Sequence, residues 1–280
     1  MTSLIQNIVF SIGLLGPSGN PVHSSYQWLD AGSRQEADSL KHRIPAPEGF
    51  RRIETKPNSF ARWLRNLPLK KAGSPVRAFD GRVLRSPAAA VVNLDVGKRD
   101  LQQCADSLMR LRAEYLFSQK RHDDIVFQLT NGMDVRFSKF AAGYKLKQIS
   151  RTRVDWVPRG QKGASHSALR QYLKQVYLWA GTASLQHESQ HIPLSDLQPG
   201  DFFIQGGFPG HTVIVLDIAE NASGERRLLL GQGFMPAQDF HVVPNARGEP
   251  WHVLQRNHVQ IRIPAWPHSF GEKDLYRFGH

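Results

Sequence analysis

The hydrophobic pattern of this chain changes character in its last third, and that change restricts its fold more than any other feature. Between Asp100 and Ala180 apolar residues recur at helical spacing in two stretches; from Phe202 onward they come in short runs broken by Gly, Pro and Asn. In the first stretch Leu101, Cys104, Ala105, Leu108, Leu111 and Tyr115 make one stripe of an amphipathic helix running to about Phe117, with Asp100 as its N-cap. Asp106, Arg110 and Glu114 flank the stripe at the spacing of i,i+4 ion pairs. In the second, Ser165 caps a helix that buries Leu169, Tyr172, Leu173, Val176, Trp179 and Ala180, and Gly181 disturbs its end. Strands are predicted at 202–204, 211–218, 227–230 and 259–263. Helices first and strands later, without a βαβ repeat, predict an α+β fold in which an antiparallel sheet packs against helices.

Other segments carry local signals. Ile125, Phe127 and Leu129 alternate with polar residues, Asn131-Gly132 follows, and Met133, Val135 and Phe137 alternate again, which predicts a hairpin with a type I′ turn. Asn58 or Ser59 caps a short helix over Phe60–Arg65, residues 88–95 read as a strand, and residues 151–163 read as a basic loop. Residues 4–15 are apolar and as long as the core of a secretory signal, but the first Lys or Arg is Arg34 and no small-x-small cleavage site follows. Residues 16–49 read as a linker or arm. The chain thus divides into an N-terminal arm (1–43), a single α+β domain (44–264) and a C-terminal tail (265–280), with a periplasmic or secreted location favoured over the cytoplasm.

With 40% hydrophobic and 21% charged residues, the chain has the composition of a folded protein, and no run of eighteen apolar residues is present. Its single cysteine excludes an intrachain disulfide and any cysteine-cluster metal site. Thirty-six Lys and Arg against 24 Asp and Glu give a net charge of +12, which suits an anionic partner such as cell wall or, less well, nucleic acid; it equally suits a basic protein with no such partner. The stretch from Lys139 to Arg159, with Phe140, Tyr144 and Trp156, has the mix that stacks on single-stranded nucleic acid, but it matches no named nucleic-acid motif. A groove for an anionic polymer or a solvated loop explains it as well.

Three residues have the chemistry of a nucleophilic site. Cys104 lies in the first turn of its helix, where unpaired N–H groups stabilise a thiolate, although a small buried hydrophobe would occupy the same place. His211 opens a strand after a glycine-rich turn, a rigid mount for a general base, and Gln232 on the next strand can orient it. A competing motif, His187-Glu188-x-x-His191, has the H-E-x-x-H spacing that places two zinc ligands and a glutamate on one helical face. Pro193 and Gly181 crowd it, and no third ligand is evident. No serine-hydrolase elbow, phosphate loop or dinucleotide fingerprint occurs, so no cofactor is expected.

Leu197-Gln-Pro-Gly-Asp-Phe-Phe-Ile, followed by Gly210-His211-Thr-Val-Ile-Val-Leu, resembles the second half of the NlpC/P60-like cysteine peptidases of the papain-like group. The resemblance implies Cys104 as nucleophile, His211 as general base, Gln232 as orienting residue, and an amide substrate such as cell-wall peptide. About 107 residues separate Cys104 from His211, so the hairpin and second helix would be an insertion in that fold. A longer resemblance, from Ile44 to Trp251, is to a bacterial family of unknown function. It rests on Trp63-Leu-Arg-Asn-Leu-Pro-Leu, Gln103-Cys-Ala-Asp-Ser-Leu-Met-Arg-Leu-Arg-Ala-Glu-Tyr-Leu, Ala180-Gly-Thr-Ala-Ser-Leu, Gly200-Asp-Phe-Phe-Ile-Gln-Gly-Gly-Phe-Pro-Gly-His and Phe234-Met-Pro-Ala-Gln. These blocks hold Cys104, His211 and Glu114 together with Arg110, Arg112, Asp201 and Gln238, which become candidate substrate-binding residues.

Overall fold

The computed structural model describes residues 26–29, 38–255, 259–264 and 266–279, so the signal-like segment 4–15 lies outside the described residues. In chain order the elements are α1 (Leu40–Arg43), β1 (Phe50–Arg52), α2 (Phe60–Arg65), β2 (Ala90–Val91), α3 (Cys104–Ser118), β3 (Val126–Gln128), β4 (Asp134–Arg136), α4 (Phe137–Ala141), β5 (Tyr144–Gln148) and β6 (Val154–Pro158). They continue as α5 (His166–Val176), α6 (Thr182–Glu188), β7 (Gln190–His191), β8 (Phe202–Gln205), β9 (His211–Asn221), β10 (Arg226–Gln232), β11 (His241–Val242), β12 (Trp251–Leu254) and β13 (Leu275–Arg277). The fold is α+β. An antiparallel sheet in the order β2-β11-β10-β9-β8-β13-β7, with β1 also on β9 and β12 also on β10, carries the helices on one face. None of the helices among the described residues is long and apolar enough to cross a membrane.

The central strand β9 is buried from His211 to Ala219, because both faces of the sheet are covered. Ile214 and Leu216 face the helices and join Leu108, Leu111 and Leu185, whereas Val213 and Val215 face the C-terminal segment and join Phe203, Phe270 and Leu275. A register shift at Leu229/Leu230 changes the alternation, so Ile218 also joins the second cluster. That second layer is built by residues in the stretch read from sequence as a tail: Leu275 is buried and β13 pairs with both β8 and β7. Residues in the predicted arm are also built in. The Tyr26 hydroxyl donates to the Trp63 carbonyl at 2.7 Å, and Leu40 is buried.

The helices begin where their caps allow. Ser59 accepts from the Arg62 N–H at 3.2 Å and Ser165 from the Ala168 N–H at 3.1 Å. Helix α3 starts later than its apolar stripe implies, because Gln103, not Asp100, is its N-cap. The Asp100 carboxylate instead receives the Gln103 side-chain amide at 3.0 Å and the Ala237 N–H at 2.7 Å, tying the helix entrance to the loop after β10.

Two turns differ from their sequence reading. Only Gly132 of the Asn131-Gly132 pair has positive φ (85°), and its N–H bonds the Leu129 carbonyl at 2.8 Å, so the hairpin closes through a longer loop and not a type I′ turn. The second arm stops at Arg136, and Phe137 begins α4. Residues 154–158, read as loop because Pro158 and the flanking basic residues Arg151, Arg153, Arg159 and Lys162 mark an irregular segment, form β6 and pair with β5. On that ribbon the Lys139 ammonium sits over the Tyr144 and Trp156 rings, at 5.7 and 5.3 Å from their centroids.

Candidate functional site

Three elements converge at the entrance of α3. Gly233, just past β10, lets the helix approach the sheet: a Cβ there would lie 2.3 Å from Ser107 Oγ and 2.9 Å from the Gln103 carbonyl. Gly210 does the same for the turn before β9, where a Cβ would meet Thr182 Oγ1 at 2.2 Å and the Gln205 carbonyl at 2.8 Å. The result is a cleft of about 210 Å³, lined by Cys104 and Asp106 of α3, Tyr177 after α5, Gly181 and Thr182 at the start of α6, and residues 207–210. Phe208, 86% exposed, and Met235 stand on its rim.

Cys104 is the first residue of α3 and lies on the cleft wall, nearly covered at 6% exposure. The backbone N–H groups of Cys104, Ala105 and Thr212 are placed to favour its thiolate, but burial, followed by the Asp106 charge, outweighs them and pushes the thiol up to about 12. The next residue along β9 from Thr212 is His211. Its Nε2 meets Gln232 Oε1 at 2.8 Å, across the β9–β10 pair. Its Nδ1 is buried and has no hydrogen-bond partner among the described residues. The rings of Phe234 and Trp266 pack on the imidazole at centroid distances of 4.8 and 5.3 Å. Burial, only partly offset by Gln232, holds His211 down at about 4. Thiol and imidazole therefore rest in their neutral forms at neutral pH. Behind Gln232, its Nε2 lies 3.2 Å from His241 Nε2, and His241 Nδ1 lies 3.0 Å from the Asp239 carbonyl.

The other sequence-derived candidates lie elsewhere. The Arg110 guanidinium is buried, bonding Glu114 Oε1 at 2.6 Å, Gln102 Oε1 at 3.2 Å and Asp95 Oδ1 at 3.2 Å, while Glu114 also pairs with His166 Nε2 at 2.8 Å. It holds α3 to its neighbours and does not line the Cys104 cleft. Arg112 sits over the rings of Phe60, Tyr115 and Phe278. Asp201 receives Arg277 Nε at 2.7 Å and the Gln198 N–H at 2.7 Å, fastening β13 to the turn before β8. Gln238 is buried beyond the cleft and bridges to Ala78. The H-E-x-x-H residues do not share a helical face: α6 ends at Glu188, Ser189 is extended, and His191 lies in β7. His187 bonds Gln128 Oε1 at 2.7 Å, and no group of three His, Cys, Asp or Glu side chains among the described residues is arranged to hold a metal.

Sequence reasoning missed three groups at the site. Asp106, which registered only as part of an ion-pair row, receives the Gln103 N–H at 3.1 Å through Oδ2, while its Oδ1 is buried without a hydrogen-bond partner among the described residues. Tyr177 falls between Val176 and Trp179 of the predicted stripe without belonging to it, and its hydroxyl is likewise unpartnered among the described residues. His241 has no local signal; only its pairing opposite Gln232 brings it in. Burial raises the Asp106 carboxyl from 3.8 to about 8. A raised carboxyl leaves stability intact below about 4 and removes it as pH climbs towards 8. Asp106→Asn keeps an oxygen for the Gln103 N–H and removes the titration. Its stability advantage over the parent in urea unfolding is therefore expected to grow between pH 5 and pH 8; an advantage constant with pH would contradict this assignment.

A central antiparallel sheet with α3 docked on it, and a cysteine at the helix entrance facing the Thr212 N–H of the central strand, define an α+β protein with a cleft walled by Cys104. Over residues 40–277 the chain matches the family described as a domain of unknown function (4846). It belongs to that family. Comparisons with curated proteins and with solved structures gave no significant match.

Proposed function

We propose that this protein is a thiol-dependent amide hydrolase, working in the manner of the NlpC/P60-like cysteine peptidases that its 197–216 segment resembles. The observation that carries this reading is the His211 ring: Nε2 is engaged by Gln232, while Nδ1 is buried without a hydrogen-bond partner among the described residues, on the residue next along β9 from the Thr212 N–H that faces Cys104. A base oriented through one nitrogen and open at the other is what a cysteine nucleophile requires.

In the proposed cycle the Cys104 proton passes to His211 Nδ1 as Sγ attacks the amide carbonyl carbon. The transfer accompanies attack because both groups start neutral. The tetrahedral oxyanion collapses, the C–N bond breaks, and the imidazolium returns the proton to the leaving amine. Water then attacks the thioester with His211 again as base, releasing the carboxylic acid and restoring the thiol. Backbone N–H groups at the start of α3 are the available donors for the oxyanion.

The substrate class follows from charge. A second cleft of about 350 Å³, lined by Lys98, Arg99 and Lys174 and by Arg170, which pairs with Asp95 in the same wall, adjoins the first through Leu101 and Tyr177, and with a chain charge of +12 it favours an amide substrate bearing carboxylates, such as cell-wall peptide. Incubation with peptidoglycan stem peptides in H₂18O tests this. Cleavage with one 18O in the new carboxyl is expected; intact peptides throughout the set would count against it.

The same basic cleft favours a second reading, a non-catalytic protein that binds an anionic polymer. That reading requires binding to cell wall that weakens steeply with salt and persists unchanged when Cys104 is blocked.

A further inference from the structure

Gln232 sits between two imidazoles, and the pattern of donors and acceptors allows one solution. Gln232 on β10 and His241 on β11 are directly paired residues of the sheet. His241 Nδ1 faces the Asp239 main-chain carbonyl at 3.0 Å, which can only accept, so Nδ1 carries the hydrogen. Burial keeps His241 neutral, its pKa lowered despite the nearby Asp239 carbonyl and carboxylate. Its Nε2 therefore has a lone pair and can only accept. That fixes the Gln232 NH₂ towards His241, at 3.2 Å, and turns Oε1 to His211 Nε2, at 2.8 Å. Oε1 can only accept, so His211 Nε2 is the protonated nitrogen and Nδ1 is left with the lone pair.

We infer that His241 is a positioning residue that sets the tautomer of His211, holding the lone pair on Nδ1 through the Gln232 amide. Its purpose rests on the thiol-hydrolase reading; its geometry does not. Without an acceptor at 241 the Gln232 amide is free to turn over. Its NH₂ would then face His211 Nε2, and the hydrogen would move to Nδ1, where the ring cannot take a proton from a thiol. The sequence offers no hint of this, since residues 232 and 241 are linked only by strand pairing.

Long-range 15N–1H spectra of the full chain labelled with 15N-histidine read each tautomer directly, without substrate. At pH 7 the parent is expected to have His211 as the Nε2–H form and His241 as the Nδ1–H form. In His241→Leu, His211 is expected to gain the Nδ1–H form and Cys104 alkylation to slow by at least about tenfold. His241→Gln, which restores an acceptor oxygen, is expected to recover both. A parent His211 in the Nδ1–H form overturns the inference even if the variants fail to fold, as does a folded His241→Leu with an unchanged His211 tautomer. Expected tautomers combined with an inert Cys104 would instead leave the inference standing and remove the hydrolase reading.

Discussion

Cys104→Ala is expected to abolish amide hydrolysis, a loss on the order of 10⁴-fold or more, because removing the nucleophile disables the unit as a whole. The fold should scarcely notice. Cys104 sits at the first position of α3, and its packing is that of a small side chain beside a cleft. A cost of about 1 kcal/mol in urea unfolding is expected, typical of a small truncation. His211→Asn should lose activity similarly, because no other described histidine lies next to Thr212 on β9. Hydrolysis that survives in Cys104→Ala would end the thiol mechanism.

The largest expected effect on stability lies on the opposite side of β9 from that chemistry in sequence, at Asp217. Its carboxylate is fully buried and receives Arg65 Nε at 3.0 Å and Arg65 Nη2 at 2.6 Å, together with the guanidinium of Arg52. These bonds pin α2 and β1 onto the central strand. Asp217→Ala would leave buried guanidinium charge without a counter-charge, and a loss of about 3–5 kcal/mol is expected in urea unfolding. Asp124→Ala, which breaks a surface pair with Arg121, should cost under about 1 kcal/mol. The triple variant Arg52→Met/Arg65→Met/Asp217→Leu, which removes both guanidinium groups with the carboxylate, is expected to recover much of the Asp217→Ala loss, since the penalty lies in the stranded charge. A triple variant as unstable as Asp217→Ala would show that the ion pairs themselves hold the fold.

Local signals account for what the sequence revealed of this architecture. Ser165 caps the helix it was expected to cap, Ser59 is the one of Asn58 and Ser59 that caps α2, and β8, β9 and β10 follow from short apolar runs between glycine-containing turns. The places where the sequence misled are those where distant segments decide. Leu275 and Phe270 look like tail residues until the uncovered face of β9 supplies a partner layer, and Tyr26 looks like linker until Trp63 covers it. Asn131 favours positive φ by residue type, yet the loop needs it only at Gly132.

The candidate site divides in the same way. Residue type and chain order single out Cys104, His211 and Gln232, and the fold brings His211 onto Gln232 and turns the α3 entrance towards Thr212. Arg110 and Arg112 carry the charge for substrate recognition, but one is consumed by Glu114 and Asp95 and the other lies among aromatic rings. Asp106 and Tyr177 escaped notice because nothing in their neighbourhood marks a polar atom that the fold will bury without a partner.

The most direct measurement is the rate of Cys104 alkylation by iodoacetamide in native protein at pH 8, in the parent and in His211→Asn. With His211 as the base for a thiol that burial keeps protonated, native labelling should proceed far faster than global unfolding and slow by at least about tenfold in His211→Asn. Repeated from pH 5 to pH 8, the parent rate should show no inflection near 6.5, since His211 stays neutral down to about 4. Labelling only at the rate of unfolding, or labelling indifferent to His211→Asn, would make Cys104 an ordinary core residue and contradict the account.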